Sequence, residues 1–317
     1  MSDFKLATPV AFIIFNRPDT TERVFAEIAK AKPTKLLVVG DGPRANRQGE
    51  AEKVAATRSI IQRVNWDCEV LTNFSDVNLG CKKRVSSGID WIFEQVEEAI
   101  ILEDDCLPHP TFFRYCQEML ERYRHDQRIG MISGDNFQFG RRYGDDSYYF
   151  SKYVHIWGWA TWRDRWVESY DVTIEKWPTI RDEGRLVDMV GDDQEARYWG
   201  KIFERVYLGR IDTWDYQWVF ANWVEGRISI MPTQNLISNI GFGASATHTT
   251  GTSDVADLPV FKMEFPLTHP VGTFRNMRAD RVNYDICFRV PLWKRVYGRI
   301  VGILRVKLNL FKQKAMK

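Results

Sequence analysis

The sequence has few cysteines, no long apolar run and, beyond residue 290, no acid at all. The five cysteines, Cys68, Cys81, Cys106, Cys116 and Cys287, are odd in number and none sits in a CxxC pair. A disulfide framework and a zinc site are therefore not expected, and the thiols read as those of a reduced, cytoplasmic protein. No window approaches the ~20 apolar residues of a spanning helix. The opening MSDFKLATPVAFIIFNRP has no basic leader and an apolar run of only six residues, so no signal peptide is expected. No linker rich in Pro, Gly or Ser interrupts the chain, and there is no internal repeat.

What is present suits a folded enzyme-sized chain. Its 317 residues can bury a large core, and 44% hydrophobic with 27% charged residues is ordinary for a soluble protein. Aromatics are abundant, with 12 Trp, many of them between Trp157 and Trp223. Such rings suit stacking on sugars or bases, although for any single Trp core filling is the commoner use. Charge is uneven: eight Lys and Arg follow residue 290, leaving 36 cations against 42 acids, a net of −6, in the remainder.

Residues 8 to 16, TPVAFIIFN, form a continuous apolar run with turn chemistry at both ends, the pattern of a strand buried on two faces. Asp19 and Glu22 read as a capping box for a helix whose apolar residues are Val24, Phe25, Ile28 and Ala29. Then follow a strand over 35 to 44, a helix over about 48 to 64, the short strand CEVLTN, a helix over about 80 to 97 and the strand AIIL. This alternation predicts a parallel α/β sheet flanked by helices. Beyond residue 130 it weakens into aromatic segments expected to pack directly on that sheet.

In such sheets ligands bind outside the carboxyl ends of the strands. Asn16 and Arg17 end the first strand, Asp41 the second, and Glu103, Asp104 and Asp105 the fourth, so all should face one crevice. Three adjacent carboxylates repel, and desolvation makes their ionisation costlier, so either water or a cation must compensate them. A hard divalent cation takes one or two such acids together with substrate phosphates. Lys82, Lys83 and Arg84 open a helix, a poor place for cations in isolation but one suited to meeting an anion such as a pyrophosphate. A solvated acidic turn and a solvated helix end are the alternatives for these two motifs.

The order IIFNRP, VVGDGPR, NLGCKKRVSSGIDWIFE, IILEDDCLPHPTFF, WGWATW and DTWDYQW resembles nucleotide-diphospho-sugar transferases of the GT-A fold, the bacterial family 2-like kind. The EDD segment is also similar to that of the animal transferase that adds N-acetylglucosamine to mannose in N-glycans. The resemblance covers roughly residues 8 to 250. It implies a Rossmann-like, mostly parallel sheet, a nucleotide-sugar donor with UDP favoured, and Mn2+ or Mg2+. By it, Asp41 reads the base edge, Arg17 contacts the phosphates, Arg84 or Lys83 lies near the base or diphosphate, and Asn16 joins the donor site. Asp104 would face the ribose or sugar, while Asp105, with Glu103, would bind the metal. Trp157, Gly158 and Trp159 would wall the place where donor sugar meets acceptor. Asp215, or else Asp212, would be the general base of an inverting transfer, and His248 would close over the diphosphate. The pattern is EDD and not a strict D-x-D, which leaves open which acids touch the metal.

This reading divides the chain into a nucleotide-sugar-binding half, 1–130, an acceptor-binding and catalytic half of the same domain, 131–285, and a basic tail, 286–317. The tail places Val296, Ile300, Ile303, Leu304, Leu308 and Phe311 at helical spacing among cations, as an amphipathic helix on an anionic membrane surface would. Docking of that helix on the acidic body, or its use in a dimer interface, is the alternative. The expected acceptor is a saccharide or lipid-linked saccharide, with no nucleic-acid partner. A sugar-phosphate nucleotidyltransferase is disfavoured because IIFNRPDTTERV has no glycine to cradle a triphosphate. A non-catalytic carbohydrate-binding protein would bind neither nucleotide nor metal.

Overall fold

A computed structural model describes residues 4–242, 255 and 257–289. Its first strand, β1 (Val10–Ile14), is buried on both faces, with Val10, Phe12 and Ile14 in one apolar cluster and Ala11 and Ile13 in the other. Alternation follows the pattern read from the sequence: α1 (Pro18–Ala31), β2 (Lys35–Gly40), α2 (Glu50–Ser59), β3 (Glu69–Phe74), α3 (Cys81–Gln95) and β4 (Glu98–Glu103). β1 pairs in parallel with β2 and β4, and β2 with β3.

The capping box is not realised. α1 starts at Pro18 with Arg17 at its N-cap and no side-chain cap, because proline lacks the N–H a helix start leaves orphaned and has a helical φ. Asp19 therefore lies inside the first turn, and Glu22 pairs with Arg63 instead.

The second half continues the same sheet. β5 (Cys106–Pro108), α4 (Thr111–Tyr123), β6 (Ile129–Ser133), β7 (Tyr148–Ser151) and β8 (Trp159–Trp162) are followed by α5 (Arg163–Val167), α6 (Trp177–Asp182) and α7 (Leu186–Val190). Then come α8 (Asp193–Tyr207), α9 (Asp215–Val224), β9 (Ile228–Pro232), β10 (Ile237–Asn239) and α10 (Met277–Asn283). The eight-stranded order is β3-β2-β1-β4-β8-β6-β9-β7. β8 runs antiparallel to β4 and to β6, and β9 runs parallel to β6. Six of the eight strands consequently point the same way, and the carboxyl ends of β4 and β6 share one edge. β5 and β10 form a separate antiparallel pair that folds over that edge.

The aromatic wealth is mostly core. Of the nine tryptophans from Trp157 to Trp223, eight are buried, and Trp159 packs against Trp214 at 5.9 Å, Trp218 at 5.8 Å and Trp166 at 6.3 Å between ring centroids. The rings fill the space between the sheet and α5 to α9. The fold also extends past residue 285: Phe288 lies 5.0 Å from Trp199 and 5.2 Å from Tyr153, so the second half claims the first residues assigned to the tail. Residues 290–317 lie outside the described residues. None of the five cysteines is in a disulfide. Among the described residues, no helix is long and apolar enough to cross a membrane.

Candidate active site

β4 is buried from Ala99 through Leu102, reaches Glu103, and turns through Asp104 and Asp105 into β5. The turn is tied to the neighbouring strand end, since Phe15 N–H donates to Asp104 Oδ2 at 2.9 Å. Arg17 supplies the compensating charge. Its Nη2 donates to Asp104 Oδ1 and its Nη1 to Asp105 Oδ2, the latter at 2.7 Å. The acidic triplet is therefore not a solvated turn; Asp104 is only 2% exposed and Asp105 13%.

Burial, reinforced by Asp105 and opposed by Arg17, pushes Glu103 up to about 8. Burial likewise raises Asp104, while Arg17 and the Phe15 N–H hold it back. Burial alone would lower Arg17, yet Asp104 and Asp105 hold it above the ordinary guanidinium value. Three carboxylates against one guanidinium leave a surplus of negative charge at this edge.

A glycine on the far half seals the pair. Ile240 N–H donates to the Asp105 carbonyl at 2.9 Å, and a Cβ on Gly241 would lie 2.0 Å from Asp105 Oδ2 and 2.7 Å from Arg17 Nη1. Only a residue without a side chain lets the segment after β10 cross the acid turn so closely.

Two expected ligand contacts are consumed by the protein itself. Asp41 is buried, and its Oδ1 accepts from Gly42 and Leu79 N–H while its Oδ2 accepts from Gly80 N–H and Asn78 Nδ2. All four of a carboxylate's usual acceptor positions are filled, so Asp41 fixes the 78–80 loop and does not offer an edge to a base. Burial raises it even so. Arg84 is buried too, donating to the carbonyls of Gly40 and Asn73 and to Asn73 Oδ1, and thus binds the ends of β2 and β3 together. Lys83 is exposed on the opening turn of α3. Asn16 donates to Glu50 Oε1 at 2.8 Å, and Arg44 pairs with the same carboxylate.

The two candidate bases arrive from the far half. Asp212 caps α3, with Oδ1 3.2 Å from Lys82 N, where Gly80 at φ +81° provides no side-chain cap. Asp215 opens α9, half-buried, and accepts from the Thr213 hydroxyl. Asp215 raises Glu103, and burial followed by Glu103, Asp215 and Asp212 raises the Cys81 thiol. The charges of Asp215 and Asp212 are therefore felt near the amino end of α3.

Asp215 also lines a cavity of about 440 Å³ with Trp157, Tyr216, His155 and Asp135. Trp157 is half-buried and meets Phe137 and Phe242 edge-on. Trp159 points into the core at 0% exposure and cannot wall a ligand site. Gly158, at φ +67°, answers packing: a Cβ there would lie 2.4 Å from Ile237 Cδ1.

Asp135 was not anticipated. It is 1% exposed, its Oδ2 accepts from Trp157 N–H at 3.1 Å, and burial raises it far above the carboxylate range. It follows the carboxyl end of β6 just as Glu103 ends β4. The same strand-end rule would have found it had the direction of β6 been known. His248 lies outside the described residues.

The oxygen donors of this edge suit a hard divalent cation. Among the described residues, no three His, Cys, Asp or Glu side chains converge on a metal-binding arrangement. Asp105 and Glu103 are oxygen donors that a bound cation would favour in the ionised form burial disfavours for Glu103, and a hard cation needs only one or two protein carboxylates when substrate oxygens complete its shell.

No protein-family profile matches the sequence, and no curated protein matches it. Among solved structures, the chain is similar to a UDP-glucose pyrophosphorylase complexed with UDP-glucose, at 9% identity and a TM-score of 0.36, over 71% of this chain and 90% of that one. It is also similar to mouse xyloside xylosyltransferase 1 in its apo form, at 8% identity and a TM-score of 0.32, over 68% and 81%. Likeness this weak bears on neither activity nor mechanism, which rest on the site alone.

Proposed function

We propose that the protein is a glycosyltransferase that moves a sugar from a nucleotide-diphospho-sugar, UDP favoured, to a saccharide or lipid-linked saccharide acceptor. The observation that carries this reading is the acid turn that ends β4, where Glu103 precedes Asp104 and Asp105, both gripped by Arg17 from the end of β1. Residues 1–130 bring the strand ends and α3; the second half, through Phe288, brings Asp215 and the aromatic cavity.

Arg17 neutralises Asp104 and steadies Asp105. Asp105 and Glu103 would hold Mn2+ or Mg2+, which when bound offsets charge on the donor diphosphate. Lys83, exposed on the opening turn of α3, would lie near the same anion. Asp215, positioned by Thr213, takes the proton from the acceptor hydroxyl as the new bond forms. Trp157 and Tyr216 flank it with aromatic surface on which a sugar ring can lie. Direct attack by the acceptor oxygen on the anomeric carbon breaks that carbon's bond to the diphosphate oxygen, releases the nucleoside diphosphate and inverts the carbon.

The test is a thermal-shift series with UDP, GDP and CMP, each with and without Mn2+, followed by product analysis with the sugar nucleotide that stabilises most. Mn2+-dependent stabilisation that disappears in Asp105→Asn, with release of a nucleoside diphosphate, is expected. Release of pyrophosphate from a nucleoside triphosphate and a sugar phosphate would instead make it a nucleotidyltransferase. No nucleotide binding at all would leave a carbohydrate-binding protein.

A further inference from the structure

Far along the sheet from the acid turn, two adjoining clefts of about 720 and 520 Å³ share Arg142 and Thr233. Half of the ten exposed large apolar side chains among the described residues line them. Val271 is 98% exposed, Met277 68% and Phe274 66% at the first; Phe261 is 49% and Phe139 44% at the second. Interleaved with them are Arg141, Arg142, Arg275 and Arg278, against one lining acid, Asp146.

The apolar loop is held, not trailing. Arg275 bridges Phe150 on the edge strand β7, Asn276 N–H donates to the Phe150 carbonyl at 2.8 Å, and Arg275 pairs with buried Asp280 at 3.3 Å. Arg141 donates to the Gln138 carbonyl. Exposing this much fixed apolar surface costs free energy in water, so such a patch marks an interaction site.

The charge around it restricts the occupant. Residues 290–317 carry eight cations and no acid, so this chain's own terminus would repel the arginines. A second copy docked face to face would oppose arginine with arginine. What complements protruding Val, Phe and Met side chains ringed by Arg is an apolar layer beneath an anionic surface.

We propose that this face, centred on Val271, Phe274 and Met277, docks on an anionic lipid bilayer, with Arg142 and Arg278 at the headgroups. It uses no residue of 290–317 and does not depend on the glycosyltransferase reading.

The experiment uses the full-length protein with vesicles of phosphatidylcholine alone or rich in phosphatidylglycerol. Sedimentation measures partitioning and hydrogen–deuterium exchange locates the contact. Exchange should slow over 270–279 and 138–144 on anionic vesicles only. Val271→Asp/Phe274→Asp should weaken partitioning at least tenfold, and Arg142→Glu/Arg278→Glu should weaken it by at least fivefold per arginine. Turnover of soluble substrates should be unchanged, which separates this idea from the activity. Unslowed exchange in these segments, or wild-type partitioning by both double variants, would overturn it. So would equal protection by inorganic phosphate without vesicles, which would make the arginines a free-phosphate site.

Discussion

Arg17 Nη1 lies 2.7 Å from Asp105 Oδ2, and its other terminal nitrogen holds Asp104, so a single guanidinium joins the end of β1 to the acid turn after β4. Removing it strands a buried carboxylate. Arg17→Met should lower unfolding free energy by about 3–5 kcal/mol in urea titrations, the cost of breaking a buried pair from one side. Arg17→Lys should recover less than half, because one ammonium cannot serve two carboxylates as a planar fork does. A melting curve of Arg17→Met matching wild type would refute this.

Asp215→Asn should retain donor binding and lose turnover by ~10²-fold or more, the range of a general base. Asp212→Ala is the control, since Asp212 Oδ1 accepts from Lys82 N–H at the start of α3 and alanine removes that cap. It should reduce thermal stability more than turnover. Steady-state rates of the two variants, measured side by side, assign the base; the reverse ranking would move it to Asp212.

Gly241→Ala should abolish Mn2+-dependent stabilisation by the preferred nucleotide while the protein stays folded. The added methyl would sit 2.0 Å from Asp105 Oδ2, so either the carboxylate or the crossing segment must move. A thermal-shift titration equal to wild type would show that the crossing does not shape the site.

The buried His155 ring, hydrogen-bonded to Asn283 Nδ2, is lowered from 6.5 to about 4 by burial. Its folded pKa lies below its unfolded one, so the folded state prefers the neutral ring. The corresponding stability is present above pH 6.5 and is lost as pH falls toward 4, by roughly 3 kcal/mol in all. His155→Phe should flatten the decline in unfolding free energy between pH 7 and 4.5. A decline as steep as wild type would place the acid sensitivity elsewhere.

Much of the donor half was legible from the sequence. Strands buried on both faces read as unbroken apolar runs, and helices as 3.6-residue spacing, so β1 to β4 and α1 to α3 fall close to their expected positions. Strand ends then put Arg17 beside Glu103, Asp104 and Asp105 without any knowledge of contacts. The short segments after residue 130 resisted the same treatment. β7 and β8 are four residues each, and their antiparallel partners are distant in sequence.

By itself, then, the sequence determined the α/β alternation and which edge would gather the acids, because both follow from local periodicity and from where apolar runs stop. Only the tertiary structure decided which of those polar groups remained available. Asp41 and Arg84 satisfy backbone groups of loops that close on them, Trp159 fills a core that exists only once α5 and α9 pack, and Asp135 joins the site because β6 happens to run parallel to β4. Each of these depends on pairing between residues far apart in the chain, and a buried hydrogen bond or a strand direction has no signature in the residues on either side of it.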